Sequence, residues 1–403
     1  MRILFITWDG PQVPYLETLF LPIFTRLAAA GFHFHILQFT WGDPTRLERT
    51  RRACEEAGFS YRPVIVARRP KALGALLTAI FGAWHVRRQI REHAIDVLMP
   101  RSTLPALAVL LTPKRIGRRV IFDADGLPLD ERVEFAGDRA NSASYRLLRD
   151  VEAQAVRRAD RVLVRSSQAV QILAARAGAG TDASRFHVVA NGRDSGAFAT
   201  GSPALRDLMR ASLGVRPDEP LIVYAGSMGP KYRLQEMLHL FKAVRKRRED
   251  ARFLILTNDP GEVELGLGEQ PALRDVVLIK QVLPETVPAH LACADLGVAL
   301  IQQTLSMRAA APIKLGEYLL CGVPTVITGG IGDSSSMPVD CGFVVATLET
   351  PQLAAAADWF VDTVLPDREG FRRRCRALGE ERYSLDACAE SYLRALLGMG
   401  EDA

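Results

Sequence analysis

The stretch Arg308–Ile327, RAAAPIKLGEYLLCGVPTVI, joins a helix to a strand and carries a lysine and a glutamate near the start of the helix. Proline is common at the first position of a helix, so the helix is expected to start near Pro312. Lys314 and Glu317 then lie one turn apart. A carboxylate placed there can accept hydrogen bonds from both hydroxyls of a ribose, which predicts half of a nucleotide site. The alternative is an i, i+3 ion pair on a solvated face, which would contribute only a few tenths of a kcal/mol.

Short apolar runs alternate with helical segments on both sides of this stretch. RILFIT and RVIFDADG in the first half, and PLIVYAGS and LGVALIQ in the second, lead into polar or glycine-containing loops. Strands of this buried type, separated by helices, are typical of parallel sheets with crossover connections. The segment 193–204 is rich in Gly, Ser and Pro and is the predicted linker between two such sheets.

These patterns predict an α/β fold with two doubly wound, Rossmann-like domains facing a cleft. We expect the N-terminal domain over residues 1–195 and the C-terminal domain over 196–380. A C-terminal helix over 381–403 can pack back on the N-terminal domain. Ligands of such sheets bind outside the carboxyl ends of the strands, so the residues directly after strands are the candidates for chemistry.

Composition and charge exclude several classes of protein. The 403 residues are 48% apolar and 24% charged, as in an ordinary globular chain large enough for two domains. The six cysteines are scattered without a CxxC pair, which predicts neither a zinc site nor a disulfide framework and fits a reducing cytoplasm. The chain opens directly on a strand, unlike a signal peptide. The net charge of +5 comes without a basic stripe interleaved with aromatic residues, so no nucleic-acid partner is expected.

The most apolar helical segment, Lys71–Arg91, is flanked by arginines. It is shorter than the roughly 20 apolar residues that a membrane-spanning helix needs. Its apolar residues follow helical spacing and its ends are basic, which suits a helix lying on an anionic bilayer through residues 68–91. A buried core helix with basic ends is the equally weighted alternative. The first interpretation places the protein in the cytoplasm, at the inner face of the plasma membrane.

Two loops of the predicted C-terminal domain can approach a phosphate. After the strand LIVYA, backbone amides from Gly226 through Ser227 to Gly229 can point at phosphate oxygens, and Lys231 adds a positive charge at the start of the next helix. The amides of 309–311 would lie at the positive end of the helix that follows Pro312. A single glycine-rich turn is weak evidence, but two such loops favour a nucleotide site.

In the predicted N-terminal domain, Arg101 and Ser102 follow one strand, and Asp123 and Asp125 follow the next. Their position after strands favours a role in ligand binding. The alternative for Arg101 is a structural ion pair with Asp123 or Asp125, and we weigh the two possibilities equally.

Taken together, these runs resemble the GT-B glycosyltransferases of family 4, which are retaining enzymes that use sugar nucleotides. The resemblance covers nearly the whole chain and includes RILFIT, VVANGRDSGAF, YAGSMGPKY and PIKLGEYLLCGVPTVIT. The further runs MPRS, FDADGLPLDE and GGIGD are similar to those of bacterial polysaccharide and O-antigen assembly enzymes. The late motifs are fairly specific as a set, whereas single ones are not.

The resemblance implies a GT-B fold with an acceptor-binding N-terminal and a donor-binding C-terminal domain. Glu317 matches the second Glu of the family's E-x7-E motif, which holds the ribose, and Lys231 matches the lysine that neutralises the donor diphosphate. Gly10 matches a loop glycine that approaches the donor. We therefore expect a metal-independent enzyme without a cofactor. Its expected donor-binding residues are Gly10, Gly226, Ser227, Lys231, Ala310, Ala311, Pro312, Lys314 and Glu317, and its expected catalytic residues are Lys231, Asp125 and Arg101.

The chain also departs from the family. Ala309 stands where the first Glu of E-x7-E contacts the donor sugar, and Ser227 stands where an Arg usually follows the strand-end Gly. The family's N-domain His is absent, and Asp123 and Asp125 occupy that loop. The main task in a retaining transfer is to stabilise the leaving diphosphate, which lysines and helix N-termini can still do. These losses therefore affect the identity of the donor sugar more than transfer itself.

The sequence thus predicts a hexosyltransferase-type enzyme that moves a sugar from a UDP- or GDP-sugar to a lipid-linked or polysaccharide acceptor in cell-surface glycan synthesis. Two alternatives stay open. One is a non-catalytic transferase-like subunit that binds nucleotide or a partner transferase. The other, less favoured, is a nucleotide-sugar epimerase, because such enzymes carry a denser set of His, Asp and Glu near the sugar.

Overall fold

The computed structural model describes residues 1–10, 14–41, 43–66, 71–113 and 118–397, with the backbone alone for 71–73. The chain forms two compact units. The first comprises Met1–Ala190 and Cys388–Ala403, and the second comprises Asn191–Ala387. The division falls a few residues before the predicted limit at 195. The residues from Cys388 on return to the first unit, where the Cys388 thiol donates to the Ala190 carbonyl (2.8 Å).

The first unit is built on a seven-stranded, all-parallel sheet in the order β3-β2-β1-β4-β5-β6-β7. Its strands are β1 (Arg2–Trp8), β2 (His33–Thr40), β3 (Ser60–Ile65), β4 (Val97–Pro100), β5 (Arg119–Asp123), β6 (Arg161–Val164) and β7 (Phe186–Val188). Its helices are α1 (Leu21–Ala29), α2 (Pro44–Glu56), α3 (Lys71–His93), α4 (Thr103–Leu110), α5 (Pro128–Phe135), α6 (Ala143–Arg158) and α7 (Ser167–Ala177).

The second unit is built on a six-stranded parallel sheet in the order β10-β9-β8-β11-β12-β13. Its strands are β8 (Leu221–Ala225), β9 (Arg252–Leu256), β10 (Val277–Lys280), β11 (Leu296–Ala299), β12 (Thr325–Thr328) and β13 (Gly342–Val345). The helices that follow in the chain are α8 (Pro203–Ser212), α9 (Leu234–Arg247), α10 (Pro260–Gly268), α11 (Val287–Ala292), α12 (Ile313–Leu320), α13 (Thr350–Trp359), α14 (Arg368–Tyr383) and α15 (Leu385–Leu397).

Each sheet reverses its strand order beside its first strand, which confirms the predicted pair of doubly wound domains. Ile222, Phe253, Val298 and Val326 of the second sheet are completely or almost completely buried, because helices cover both faces of a parallel sheet. The reversal points of the two sheets lie between β1 and β4 and between β8 and β11. In folds of this kind the loops at such points hold the ligand.

The segment predicted to be a linker is fixed within the second unit. The Arg193 backbone N–H donates to the Tyr383 carbonyl (2.9 Å), and the Leu385 N–H donates to the Arg193 carbonyl (2.8 Å). Asp194 accepts hydrogen bonds from the amides of Gly196 and Ala197. Gly, Ser and Pro in this segment therefore form turns of an ordered connection rather than a loose tether.

Candidate functional site

The loop after β8 is held in a backbone shape that favours glycine. Gly226 and Gly229 have φ of 143° and 153°, which side-chain-bearing residues rarely adopt. The Tyr224 hydroxyl donates to the Ser227 carbonyl (2.6 Å), and the Met228 amide donates to Asp259 Oδ2 (3.0 Å). The Gly226 amide donates to the Leu256 carbonyl (2.9 Å). Two of the four amides predicted to face a phosphate are therefore already used inside the protein.

Lys314, the second residue of α12, projects back into this loop. Its side chain is 9% exposed, and a Cβ placed on Gly226 would lie 3.0 Å from its Nζ. Nζ lies 4.1 Å from the ring centroid of Tyr224 and 4.2 Å from that of Tyr232. It also lies 2.9 Å from the Tyr224 hydroxyl oxygen. Lys314 is thus a buried amine between two aromatic rings at the edge of the glycine loop.

Lys231 lies beside Lys314 because two strand-end loops meet. Tyr232 pairs with Ile301 in an antiparallel bridge, and the Gln302 amide donates to the Lys231 carbonyl (2.9 Å). Lys231 Nζ is 5.3 Å from the Tyr232 ring centroid. Burial lowers the pKa of Lys314 to about 7, and the positive charge of Lys231 adds to that change. The two lysines predicted to bind phosphate are therefore neighbours.

Glu317 lies one turn further along α12 and is held by an arginine that the sequence analysis did not select. Arg193 Nε donates to Glu317 Oε1 over 2.8 Å, with both side chains 16% exposed. Arg193 follows Asn-Gly in the run VVANGRDSGAF, where the family has a Val, and that charged residue was the available signal. Nearby, Asn191 Nδ2 donates to the Ala311 carbonyl (3.0 Å). The carboxylate that is predicted to bind the ribose is thus oriented before any ligand arrives.

The segment before α12 differs from the expected row of free amides. Ala309 ends a short 3-10 helix and is completely buried, so its side chain lies in the protein interior. The Ala310 amide donates to the Met307 carbonyl (3.1 Å). Pro312 precedes α12 as its N-cap, has no N–H, and accepts a hydrogen bond from the Leu315 amide (3.1 Å). The Ala310 amide, which was expected to face the donor, is therefore already paired, while the assignment of Ala310, Ala311 and Pro312 to the donor site stays a prediction.

In the first unit, the predicted residues Arg101 and Asp125 belong to an ion-pair cluster after β4, β5 and β6, in which Arg101 is buried and Asp125 is partly exposed. Arg101 Nη2 lies 2.5 Å from Asp125 Oδ1, and its Nη1 lies 3.4 Å from Asp123 Oδ2. Arg165 Nη2 lies 2.9 Å from both oxygens of Asp123. The ion-pair interpretation of Arg101 is confirmed with both aspartates, while catalytic roles for Arg101 and Asp125 stay predictions. Arg165 was missed, although it follows the strand RVLV in the position that Arg101 has after its own strand.

Gly10 lies at the end of β1 beside further polar residues. A Cβ at Gly10 would overlap the ring of Trp41, so a larger residue at this position would require that ring to move. The Thr7 hydroxyl donates to Asp9. Burial raises the pKa of Asp9 above its usual value, and Arg101 and Thr7 oppose this change. The prediction that Gly10 approaches the donor stays a prediction.

Comparisons with known families agree with these two sheets. Residues 17–192 match the family described as "Glycosyl transferase 4-like domain", and residues 219–363 match the family "Glycosyl transferases group 1". The first match begins after β1 and covers the other six strands of the first sheet, and the second match covers all six strands of the second sheet. No curated protein matches the chain by sequence.

Solved structures of similar fold extend over the whole chain. Alr3699/HepE of Anabaena, in complex with UDP-glucose, shares 16% identity and a TM-score of 0.71, with 99% of this chain and 100% of that chain covered. WaaG, a glycosyltransferase of lipopolysaccharide biosynthesis, shares 17% identity and a TM-score of 0.70 over 99% of this chain and 100% of that chain. Sucrose-phosphate synthase from Thermosynechococcus elongatus shares 15% identity and a TM-score of 0.70 over 100% of both chains. At these identities the similarity establishes the fold.

The two sheets, each reversed beside its first strand, define a GT-B protein. With both halves matched by glycosyltransferase families, the chain belongs to the family 4 glycosyltransferases and is an enzyme of that class.

Proposed function

We propose that the protein is a retaining glycosyltransferase that moves a sugar from a UDP- or GDP-sugar to a lipid-linked or polysaccharide acceptor in cell-surface glycan synthesis. The observation that carries this proposal is the grouping of Lys231, Lys314 and Glu317 at the strand ends of the second unit. Two cations suit a diphosphate and a fixed carboxylate suits a ribose. The complexes of HepE with UDP and with UDP-glucose support a nucleotide-sugar donor.

The main requirement of the proposed transfer reaction is stabilisation of the leaving nucleoside diphosphate. The bond between the sugar's anomeric carbon and the diphosphate oxygen breaks as the acceptor hydroxyl bonds to the same face of that carbon. The hydroxyl proton passes to the departing diphosphate, so no protein nucleophile is needed. Lys231 and Lys314 stabilise the charge that develops on the diphosphate, and Lys314 does so where burial excludes water and strengthens the interaction. Because two lysines supply this charge, we propose that transfer needs no metal ion or cofactor.

The donor sugar is selected without the first Glu of the family motif. Ala309 is completely buried, so side chains other than that of residue 309 contact the hydroxyls of the sugar. We propose that Ser227 and Ala311, at the edges of the two loops, are among the donor contacts. Both positions are small, which leaves room for a hexose.

An exposed face of α3 supports a membrane-associated acceptor. Ile80, Phe81 and Trp84 are 43%, 68% and 54% exposed, and these positions share one side of the helix with Leu77. Arg87 and Arg91 continue the same face and are exposed. An apolar stripe followed by cations is the pattern of a helix that lies on an anionic bilayer. Residues 67–70, which contain two of the predicted flanking arginines, lie outside the described residues.

We propose that this face holds the enzyme at the cytoplasmic face of the plasma membrane, where a lipid-linked acceptor is presented. No helix in the described part of the chain is long and apolar enough to cross a bilayer. Contact through one helix face would therefore be peripheral and reversible.

The direct test is to incubate the purified protein with a panel of UDP- and GDP-sugars and to measure release of UDP or GDP, with and without EDTA. We expect slow release from at least one donor, undiminished by EDTA and lost in Lys231→Ala. The matched control is Lys242→Ala, which removes an exposed lysine of α9. The configuration at the anomeric carbon of the product then decides between retention and inversion.

A non-catalytic transferase-like subunit is the second candidate, favoured by the burial of Ala309 and the serine at 227. Nucleotide binding without release from any donor would support it. A nucleotide-sugar epimerase is the third candidate. A putative UDP-N-acetylglucosamine 2-epimerase from Listeria monocytogenes shares the fold at 14% identity and a TM-score of 0.59. Conversion of a nucleotide sugar without loss of the nucleotide would support that activity instead.

A further inference from the structure

The amine of Lys314 has a hydrogen-bond environment that suits a neutral group better than a charged one. The Tyr224 hydroxyl donates its hydrogen bond to the Ser227 carbonyl (2.6 Å). Its oxygen is therefore the acceptor of the hydrogen bond from Lys314 Nζ (2.9 Å). Nζ also faces the rings of Tyr224 and Tyr232. An ammonium has three N–H donors, whereas a neutral amine needs fewer acceptors. Buried charge without matching hydrogen bonds is unfavourable, and aromatic faces offset only part of that loss.

The charges around Lys314 act in both directions on its pKa. From the loop after β8, Lys231 repels a second positive charge. The start of α12, where Lys314 lies, is the positive end of the helix dipole. Glu317 on the same helix favours the charged amine, but its carboxylate is paired with Arg193. The titratable and charged groups that face Lys314 or its neighbours are Tyr224 of β8, Lys231 and Tyr232 of the following loop, Glu317 and Tyr318 of α12, and Arg193 beside Glu317.

We propose that binding of the donor diphosphate is coupled to uptake of one proton by Lys314, which waits as a neutral amine between Tyr224 and Tyr232. This inference rests on the proposed donor site, since it assumes that the diphosphate reaches the loop after β8. A diphosphate oxygen gives the amine a second acceptor beside the Tyr224 hydroxyl, and a negative charge that is not paired with Arg193 as that of Glu317 is. The proton comes from the solvent, the amine becomes an ammonium, and no covalent bond to carbon or phosphorus changes.

Burial lowers the pKa of Lys314 to about 7, so most of this side chain is neutral at slightly alkaline pH in the free protein. A bound diphosphate stabilises the charged form of Lys314 and so raises the pKa of its amine. By linkage, affinity for the diphosphate should fall about tenfold for each pH unit above the pKa of the free protein, until the pKa of the bound form is reached. A permanently charged lysine or arginine would show no such slope.

The experiment is calorimetry of UDP binding near pH 8 in two buffers that differ in ionisation enthalpy. UDP is then fully ionised, because its last phosphate ionisation has a pKa of about 6, so proton uptake reports on the protein. We expect uptake close to one proton per UDP in the wild type and close to none in Lys314→Arg, which stays charged. Lys242→Arg, the same change at an exposed site, should keep the wild-type uptake. Uridine should cause no uptake.

The outcomes separate the two proposals. UDP binding without proton uptake in the wild type, or uptake that persists in Lys314→Arg, overturns the coupling and leaves the donor site standing. Failure of UDP, GDP and other nucleoside diphosphates to bind overturns both. If Lys314→Arg does not fold, Lys314→Met takes its place, and a wild-type affinity that stays constant between pH 7.5 and pH 9 overturns the coupling without any variant.

Discussion

The two sheets carry opposite arrangements of charge at their strand ends. In the first unit, Arg101 and Arg165 are buried against Asp123, and Arg101 also binds Asp125, so the charges neutralise one another. In the second unit, Lys314 is equally buried but rests between the rings of two tyrosines. Buried ion pairs fix the local structure, because separating them would leave a charge unpaired in the interior. An amine between rings keeps its capacity for a new anionic partner.

The strand-end edges of the two sheets differ in the kind of ligand that their charges can accommodate. An anionic ligand at the first edge would have to compete with Asp123 and Asp125 for the guanidinium groups of Arg101 and Arg165. A ligand at the second edge meets Lys231 and Lys314 together, which favours a diphosphate. Substitutions in the first unit should therefore act mainly on stability, and those in the second mainly on binding.

The largest effect should follow from Asp123→Asn. Asp123 is completely buried and pairs with Arg101 and Arg165, so its loss leaves two buried cations with weakened partners. Breaking a buried pair costs about 3–5 kcal/mol, and we expect a loss of that order in the free energy of unfolding of the first unit, measured by urea denaturation.

The matched control for that substitution is Glu390→Gln, which removes an exposed partner of Arg394. Exposed pairs contribute about 0–1 kcal/mol, so the control should unfold near the wild-type urea concentration. If Asp123→Asn is as stable as the control, the cluster after β4, β5 and β6 is not a structural frame, and a role in ligand binding becomes the better interpretation.

Sequence reasoning predicted the fold because strand-end loops, apolar runs and glycines are local signals. It selected Lys231, Lys314 and Glu317 by the same rule, and the structure brings all three to one edge. It missed Tyr224 and Tyr232 as partners of Lys314, because the position of a side chain across a sheet depends on tertiary packing. Arg165 also follows a strand, so the rule that strand-end residues are candidates for ligand binding could have selected it.

Two other errors have different physical causes. Arg193 was assigned to a linker on composition alone, although backbone hydrogen bonds to Tyr383 and Leu385 hold it in place. The amides around Ala310 were expected to be free, but a 3-10 turn uses one of them. Backbone hydrogen-bond partners in loops are not encoded in residue type, so a single sequence gives no direct signal for them.

For the second edge, Lys231→Ala should weaken UDP binding by about 1.5–3 kcal/mol, because it removes a charge-assisted contact with the diphosphate. Binding of uridine, which has no phosphate, should change little. Calorimetry of both ligands tests the prediction. An equal loss for UDP and uridine would show that Lys231 shapes the loop rather than binds phosphate.

Glu317→Gln tests the ribose end of the same edge. Losing the charged acceptor should weaken UDP and uridine alike, by about 1.5–3 kcal/mol, without unfolding the protein. Arg193→Met is the companion variant, because it frees the carboxylate from its partner (2.8 Å) while keeping its charge. We expect a smaller loss of affinity in Arg193→Met. Unchanged affinity in Glu317→Gln for every nucleoside diphosphate tried would exclude Glu317 from the site.

The difference in the free energy of unfolding between the wild type and Lys314→Met should depend on pH, because the amine of Lys314 is buried. The folded-state pKa of Lys314 is about 7, below its ordinary value of 10.5, so between these values the unfolded chain binds a proton that the folded chain does not. Stability of the wild type relative to Lys314→Met should therefore rise with pH, by about 2 kcal/mol from pH 7 to pH 9. Urea denaturation at the two pH values measures it. A constant difference would mean that Lys314 keeps its charge in the folded protein.

The smallest effect concerns the exposed face of α3 in the first unit. Each cation near an anionic surface contributes about 1 kcal/mol at most, so binding should be weak and sensitive to salt. We expect the wild type to co-sediment with phosphatidylserine vesicles at low salt, and less so after replacement of Arg87, Arg88 and Arg91 by Ser. Replacing Lys242, Lys246 and Arg247 of α9 by Ser removes the same charge from the second unit and should leave co-sedimentation unchanged. If both triple variants lose co-sedimentation equally, the net charge of the protein explains vesicle binding and the α3 face does not. If the wild type does not bind the vesicles, the exposed Phe81 and Trp84 have no membrane role.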